Sequence, residues 1–201
     1  MQAATVPRRY VALGDSYTIG TSVGEDERWP NQLVAREPRL QLVANLGVNG
    51  FTSRDLIELE LPRLDGLRPE LLSVLIGVND VVQGVPAVAY RANVADILGA
   101  AVRHVGAGGV FVVTTPDYTV TPSGADYGNP ARQAAGIREN NAIIVEAAAR
   151  LGIIVVDIHD ISLQAANDRS LVAGDRLHPS GAQYARWVER IAPVVEELLA
   201  N

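Results

Sequence analysis

The chain has 201 residues but contains no cysteine and no lysine. Without cysteine it has no disulfide, no thiolate nucleophile and no zinc–thiolate site. All 17 basic residues are arginine, which excludes Schiff-base chemistry, a serine–lysine dyad and a phosphate-binding loop that ends in lysine. A nucleophile, if there is one, must come from other side chains.

Basic charge and long apolar runs are also scarce. The net charge is -6 at pH 7, so the sequence predicts no nucleic-acid partner. No apolar run has the length of an integral membrane segment, and the stretch 1–10, MQAATVPRRY, contains none that fits a signal peptide. We therefore expect a cytoplasmic protein, or a secreted one if a leader has been removed, with one domain over residues 1–201.

Five short apolar runs have the Val-, Ile- and Leu-rich composition of strands that are covered on both faces. They are Tyr10–Leu13, Leu40–Leu46, Leu71–Ile76, Val110–Thr114 and Ile153–Ile158. Helix-like patterns occupy the stretches Trp29–Arg36, Ser53–Leu64, Pro86–Val105, Ala131–Leu151 and Ser180–Leu199. This alternation predicts a doubly wound α/β fold with a five-stranded parallel sheet and the flavodoxin-like strand order 2-1-3-4-5.

A residue able to bind or react follows each predicted strand. These residues are Ser16, Gly50, Asn79, Asp117 and His159. Ligands of open parallel sheets bind outside the carboxyl ends of the strands. The sequence therefore predicts a site at that edge of the sheet.

The stretch GDS (Gly14–Ser16) is compatible with several kinds of site. The spacing to Gly20 and the missing lysine exclude a phosphate loop, and no G-x-G-x-x-G follows a strand. Metal ligands are available at Asp15, Asn79, Asp80, Asp175 and His178, but the chain has only three histidines for a binuclear site. A metal-dependent phosphoesterase is therefore an alternative, and our first expectation is a site without metal or cofactor.

A serine nucleophile needs a base and a group that orients the base. In GDRLHPS (174–180), Asp175 precedes His178 by three residues, so its carboxylate can reach one ring nitrogen while the other faces outward. His159, in DIHD, lies at a predicted strand end and has no such turn. We therefore favour His178 as the base and interpret His159 as a residue on the rim.

An oxyanion hole needs hydrogen-bond donors that converge on one oxygen. The backbone N–H of Ser16, the N–H of Gly50 and the side-chain amide of Asn79 are candidates because each follows a different strand. Asp15 and Asp80 are expected to bind loop backbone, as aspartate commonly does in turns.

These stretches together resemble the SGNH hydrolases, also called GDSL-type esterases and lipases. The stretches GDS, GVNGFTSRD (47–55), GVND (77–80) and DRLHP (175–179) are similar to the four family blocks and occur in the same order. The resemblance implies a three-layer α/β/α sandwich, with Ser16 as nucleophile and with Asp175 and His178 completing the triad. It also implies an oxyanion hole formed by Ser16, Gly50 and Asn79, in which Gly47 is a rival to Gly50.

The implied reaction is hydrolysis of a small-molecule ester through an acyl-enzyme, with no cofactor. Aromatic content is only 5% and no lid helix is evident, so we expect short-chain acyl or acetyl esters, bound partly by Thr115–Asn129 and the segment after Asp160. Lysophospholipase or thioesterase activity on the same triad is an alternative. A non-catalytic carbohydrate- or lipid-binding module is another, which the intact set of Ser16, Asn79, Asp175 and His178 disfavours.

Overall fold

A computed structural model describes residues 6–200 of the chain. Its sheet has five parallel strands in the order β2-β1-β3-β4-β5, so the strand order expected from the sequence is confirmed. The strands are β1 Arg8–Gly14, β2 Leu40–Asn45, β3 Leu71–Leu75, β4 Val110–Val113 and β5 Ile154–Val156. Every carboxyl end of a strand therefore opens on the same edge of the sheet.

Helices connect the strands and follow the last one. The α-helices are α1 Ser16–Ile19, α2 Trp29–Arg36, α3 Ser53–Asp55, α4 Leu64–Leu67, α5 Val78–Val82, α6 Ala87–Val105, α7 Pro130–Leu151, α8 His159–Leu163 and α9 Gly181–Ala200. The bounds of α2 match the sequence prediction. The bounds of α6, α7 and α9 differ from the predicted bounds by no more than one residue at each end. The short helices α1, α5 and α8 directly follow strands β1, β3 and β5 and were not predicted.

The sheet separates two buried clusters, which makes three layers. Alternate residues of β1 point to opposite faces, so Tyr10 belongs to one cluster and Val11 to the other. Trp187 of α9 packs in the cluster of Tyr10, and α2 covers the same face. Ile97 of α6 packs in the cluster of Val11, beside residues of α7. Burial on both faces holds β1 and β3 rigidly, and these strands lead into the candidate site.

The two edge strands, β2 and β5, depart from the expectation that all five strands are covered on both faces. In β5, Ile154 and Val155 are only half-buried. Only Leu40 in β2 is fully buried, and residues 41–45 are exposed or half-buried. An apolar composition does not distinguish an edge strand from an interior one, because the neighbours of a strand are set by the topology.

The segment predicted as one helix over Ser53–Leu64 is interrupted. After α3 the chain forms a π-helical turn over Leu56–Glu60 and a 3-10 turn over Leu61–Arg63 before α4 begins. Pro62 explains the break, because a proline inside a helix has no N–H to donate and its ring clashes with the preceding turn. The π-helical turn directs the buried side chain of Glu60 toward β1.

Candidate active site

Ser16 is presented by a sharp bend at the end of β1. Gly14 has φ +152°, and a Cβ there would lie 2.3 Å from the Leu75 carbonyl oxygen. Asp15 then caps α1, because its Oδ1 accepts a hydrogen bond of 2.9 Å from the Tyr17 N–H. Ser16 is the first residue of α1 and retains 6% exposure. The bend therefore places a serine at the carboxyl edge of the sheet.

The loop before α9 holds Asp175 against His178. Asp175 Oδ2 lies 2.6 Å from His178 Nδ1, and Asp175 Oδ1 accepts hydrogen bonds from the backbone N–H groups of Leu177 and His178. A backbone bond from Ala173 N–H to the His178 carbonyl closes the loop. The predicted contact between Asp175 and His178 is thus present in the structure.

The electrostatics of Asp175 favour its ionised form. Burial alone would raise the pKa of this carboxyl group, but hydrogen bonds from Leu177 N–H, from His178 and from the Ser22 hydroxyl lower it to about 2. The Ser22 bond is 2.7 Å long and reaches the same oxygen that His178 contacts. The ring of His178 also packs on Tyr17, with centroids 5.2 Å apart. An ionised Asp175 can therefore fix the orientation and tautomer of the imidazole ring.

The other predicted donors come from the loops after β2 and β3. Asn79 in α5 donates one side-chain N–H to the Phe51 carbonyl at 2.9 Å, which leaves its second N–H available. Gly50 has φ +83°, and its carbonyl accepts a bond from Gln83. Within residues 6–200, the N–H groups of Ser16 and Gly50 have no protein acceptor. Three unused donors thus come from three separate strand ends.

Gly47 lies in a different environment from Gly50. Its N–H is bonded to Asn45 Oδ1 at 3.1 Å, and a Cβ on Gly47 would lie 2.7 Å from both the Asp15 carbonyl oxygen and the Ile19 nitrogen. A Cβ on Gly50 would have nothing within 4 Å. Gly47 therefore allows close packing against the serine-bearing turn, whereas Gly50 faces open space.

One pocket of about 220 Å³ contains four of the predicted residues. Ser16, Gly50, Asn79 and His178 line it. The rest of its wall is mostly apolar and aromatic, formed by Tyr17, Val78, Val82, Tyr118, Tyr127 and Leu177, together with Asn49. Tyr118 and Tyr127 belong to the segment Thr115–Asn129, which the sequence indicated as part of a pocket.

Asp15 and Asp80 do not line the pocket and are fully buried. Asp80 accepts hydrogen bonds from the N–H and hydroxyl groups of Ser53. Burial raises the pKa of Asp15 to about 7, with the charge of Asp80 adding to the rise, and burial likewise raises the pKa of Asp80. Both carboxyl groups bind backbone near the site, as the sequence analysis expected.

His159 and Asp117 follow strands β5 and β4 but lie outside this pocket. His159 begins α8 and does not end a strand as predicted, because β5 stops at Val156. Its Nε2 is 3.8 Å from Asp117 Oδ2. Across residues 6–200, no three His, Asp or Glu side chains are grouped so that they could hold a metal ion.

Two polar residues that support the site were not predicted from the sequence. Ser22 binds Asp175 across 153 positions of the chain, from a backbone with φ +67°. Glu60 binds the Gly14 N–H at 2.9 Å from inside the segment that was predicted as a regular helix. No local pattern signals either contact, since each depends on where distant segments meet.

Solved structures with the same architecture include several ester hydrolases. A lipolytic protein of the G-D-S-L family from Desulfitobacterium hafniense is 20% identical, with a TM-score of 0.74 over 93% of this chain and 99% of that chain. The acetyl xylan esterase Axe2 from Geobacillus stearothermophilus is 18% identical, with a TM-score of 0.72 over 95% and 96%. The psychrotrophic esterase EstA from Pseudoalteromonas sp. is 16% identical, with a TM-score of 0.72 over 96% and 100%. These likenesses establish the fold.

A family model identifies the chain more specifically. The model of the GDSL-like lipase/acylhydrolase family matches residues 12–186. The chain is therefore a carboxylic ester hydrolase. It belongs to the GDSL-like lipase/acylhydrolase family, which confirms the resemblance drawn from its four motifs. A search of curated proteins found no match.

The helices of the described part, residues 6–200, include none that is long and apolar enough to cross a membrane.

Proposed function

We propose that the protein is a serine esterase that uses Ser16 as nucleophile, His178 as general base and Asp175 as the group that orients His178. One observation carries this proposal: Ser16 and His178 line the same pocket, and Asp175 contacts the ring nitrogen of His178 at 2.6 Å. This arrangement has the base and orienter that a hydroxyl nucleophile requires.

The chemistry proceeds in two acyl-transfer steps. Asp175 holds the proton on Nδ1 of His178, so Nε2 is free to take the proton of Ser16 as its Oγ attacks the ester carbonyl. His178 then gives this proton to the departing alcohol, and the acyl group stays on Ser16. A water molecule, deprotonated by His178, attacks the acyl-enzyme; the bond to Ser16 Oγ breaks, His178 returns the proton to Oγ, and the acid is released.

The oxyanion that forms in both steps is stabilised by three donors, the N–H groups of Ser16 and Gly50 and the amide of Asn79. Support comes from the absence of other protein acceptors for the two backbone groups within residues 6–200. The contact between Asn79 and the Phe51 carbonyl fixes the amide before substrate arrives. Donors that are already oriented stabilise developing charge without reorganisation.

The substrate is an ester with a short acyl group. The pocket of about 220 Å³ is smaller than the roughly 300–1,000 Å³ of pockets for drug-sized ligands. The rings of Tyr118 and Tyr127 meet edge to face, with centroids 5.9 Å apart, and form one wall. Among the structural neighbours, Axe2 is an acetyl xylan esterase, whose acyl group is of this size.

A serine substitution tests the proposal directly. Ser16→Ala should remove measurable hydrolysis of nitrophenyl acetate and covalent labelling by a serine-directed organophosphonate, while the thermal unfolding midpoint stays within a few degrees. Ser170→Ala is the matched control, because Ser170 is an exposed serine whose side chain, among the described residues, binds only Asp168. Wild-type turnover by the folded Ser16→Ala variant would refute the assignment.

A further inference from the structure

Glu60 is a buried carboxyl group that the proposed mechanism does not use. It is 1% exposed and lies in the π-helical turn of Leu56–Glu60. Its Oε2 accepts the Gly14 N–H at 2.9 Å, and its Oε1 has no partner within residues 6–200. A buried polar atom without a partner is costly and requires an explanation, and π-helical turns are frequent at functional sites.

The surroundings of Glu60 disfavour its charged form. Asp15 is fully buried next to Gly14, and its Oδ2 also lacks a partner within the described residues. Thr18 Oγ1, likewise unpartnered, would lie 2.4 Å from a Cβ on Gly14. The charge of Arg63, which is exposed, acts on Glu60 only weakly against this burial. The residues around Gly14 thus carry three buried polar atoms without a hydrogen-bond partner in the described part of the chain: Glu60 Oε1, Asp15 Oδ2 and Thr18 Oγ1.

The titratable groups of the neighbouring elements do not compensate the charge of Glu60. Burial raises the pKa of Glu60 to about 9 against the lowering effect of the Gly14 N–H bond, and the charge of Asp15 adds to the rise. Asp80 of α5 raises the pKa of Asp15 further, and Tyr90 of α6 is neutral because burial raises its pKa well above the ordinary value. Near neutral pH, Glu60 is therefore protonated.

The contact made by Glu60 lies close to the reacting atoms. Gly14 is the residue at which β1 bends, and Ser16 with its unused N–H follows two residues later. A carboxyl group that fixes the Gly14 N–H restrains the direction of that bend. Small displacements of a nucleophile and an oxyanion donor cost large factors in rate.

We infer that Glu60 is a positioning residue for Ser16, which holds the Gly14 N–H through a neutral carboxyl group. The inference rests on the proposed function of Ser16. Ionisation of Glu60 places an uncompensated charge in a dry space, and the carboxylate relieves that cost by moving toward water. The Gly14 N–H then loses its acceptor, and the rate falls at alkaline pH.

Two substitutions separate the role of Glu60 as a neutral hydrogen-bond acceptor from the effect of its negative charge. Glu60→Gln keeps an acceptor oxygen and cannot ionise, so it should keep at least half the wild-type kcat at pH 7 and lose the alkaline decline in kcat near pH 9. Glu60→Leu removes the acceptor, so its kcat should fall about ten- to one hundredfold at every pH, with KM nearly unchanged. Glu37→Gln is the control, because Glu37 is also buried but pairs with Arg39.

An alkaline decline that persists unchanged in Glu60→Gln would overturn the inference, as would wild-type kcat in a folded Glu60→Leu variant. Esterase activity lost in Ser16→Ala but unaffected by Glu60→Gln and Glu60→Leu would reject the role of Glu60 and leave the proposed function intact. A wild-type protein without esterase activity would instead reject the proposed function.

Unfolding measurements test the neutral state of Glu60 even without a substrate. A carboxyl group with a raised pKa in the folded state contributes stability that is full below its unfolded pKa and is lost as pH rises through its folded pKa. The wild-type urea midpoint should therefore fall between about pH 5 and pH 9, and fall less in Glu60→Gln. An equal fall of the urea midpoint in the wild type and in Glu60→Gln would show that Glu60 is not protonated in the folded protein over this pH range.

Discussion

The two glycines of the stretch LGVNG provide a test of how the site is built. An alanine at position 47 would place its methyl group 2.7 Å from the Asp15 carbonyl oxygen and the Ile19 nitrogen, and 3.0 Å from Thr18 Cβ. An alanine at position 50 would meet nothing within 4 Å, but it would have to adopt φ +83°. The same methyl group is thus a steric problem at one position and a conformational one at the other.

The two costs differ in size and in kind. At Gly47 the overlapping atoms are backbone and cannot rotate away, so overpacking should destabilise the protein by about 1–3 kcal/mol. At Gly50 a left-handed backbone costs an L-residue roughly 1 kcal/mol. Relief of that strain rotates the peptide that carries the Gly50 N–H, so catalysis should suffer more than stability. We expect Gly50→Ala to lose about tenfold in kcat, in line with one weakened oxyanion donor.

Urea unfolding and hydrolysis of nitrophenyl acetate measure these two effects separately. Gly47→Ala should lower the unfolding midpoint more than Gly50→Ala, with an unchanged slope m. The ratio of kcat loss to stability loss should be larger for Gly50→Ala. A reversed order of the midpoints would refute the packing argument, and wild-type kcat in Gly50→Ala would remove the reason for preferring Gly50 to Gly47 as the donor.

Two further predictions concern the triad and the pocket wall. Ser22→Ala removes a hydrogen bond of 2.7 Å to Asp175 and should lower kcat about three- to tenfold, which corresponds to the net free energy of one hydrogen bond. The control Ser170→Ala should leave kcat unchanged. A Ser22→Ala variant with wild-type kcat would show that this bond does not support the triad. Tyr127→Ala opens the wall beside Tyr118 and should raise the kcat/KM ratio of butyrate to acetate esters. The rise should be about fourfold if one of the two additional methylenes is buried and about fifteenfold if both are, since each contributes about 0.8 kcal/mol. An unchanged ratio in a chain-length series would exclude Tyr127 as a limit on acyl size.

Much of the architecture could be predicted because it follows from local patterns. Apolar runs that alternate with helical periods determine a parallel sheet, and a parallel sheet brings the loops after its strands to one edge. Ser16, Gly50 and Asn79 could therefore be assigned to one edge of the sheet from the sequence, and Asp175 and His178 could be paired by their spacing. The structure brings four of these five residues into the pocket wall, with Asp175 behind His178.

The remaining features depend on contacts that no local pattern encodes. The exposure of β2 follows from its place at the sheet edge. The contact of Ser22 with Asp175 requires a left-handed backbone conformation at Ser22 and a loop that lies 153 positions further along the chain. Glu60 occupies what sequence periodicity treats as an ordinary helical position, and the π-helical turn alone aims it at Gly14. Pro62 lies within the stretch predicted as one helix, and the structure interrupts the helix around it.

The position of the charge at this site supports the proposal that Asp175, and not the aspartate next to Ser16, serves Ser16. Asp15 receives one backbone N–H in a fully buried place, and its raised pKa of about 7 makes it a poor anion. Asp175 receives donors from Leu177, His178 and Ser22, so it stays charged, with a pKa of about 2. In the proposed reaction, an ionised carboxylate stabilises the imidazolium that forms when His178 takes the proton of Ser16. The number of donors around each carboxyl group, and not its distance from the serine along the chain, therefore decides which aspartate can serve the reaction.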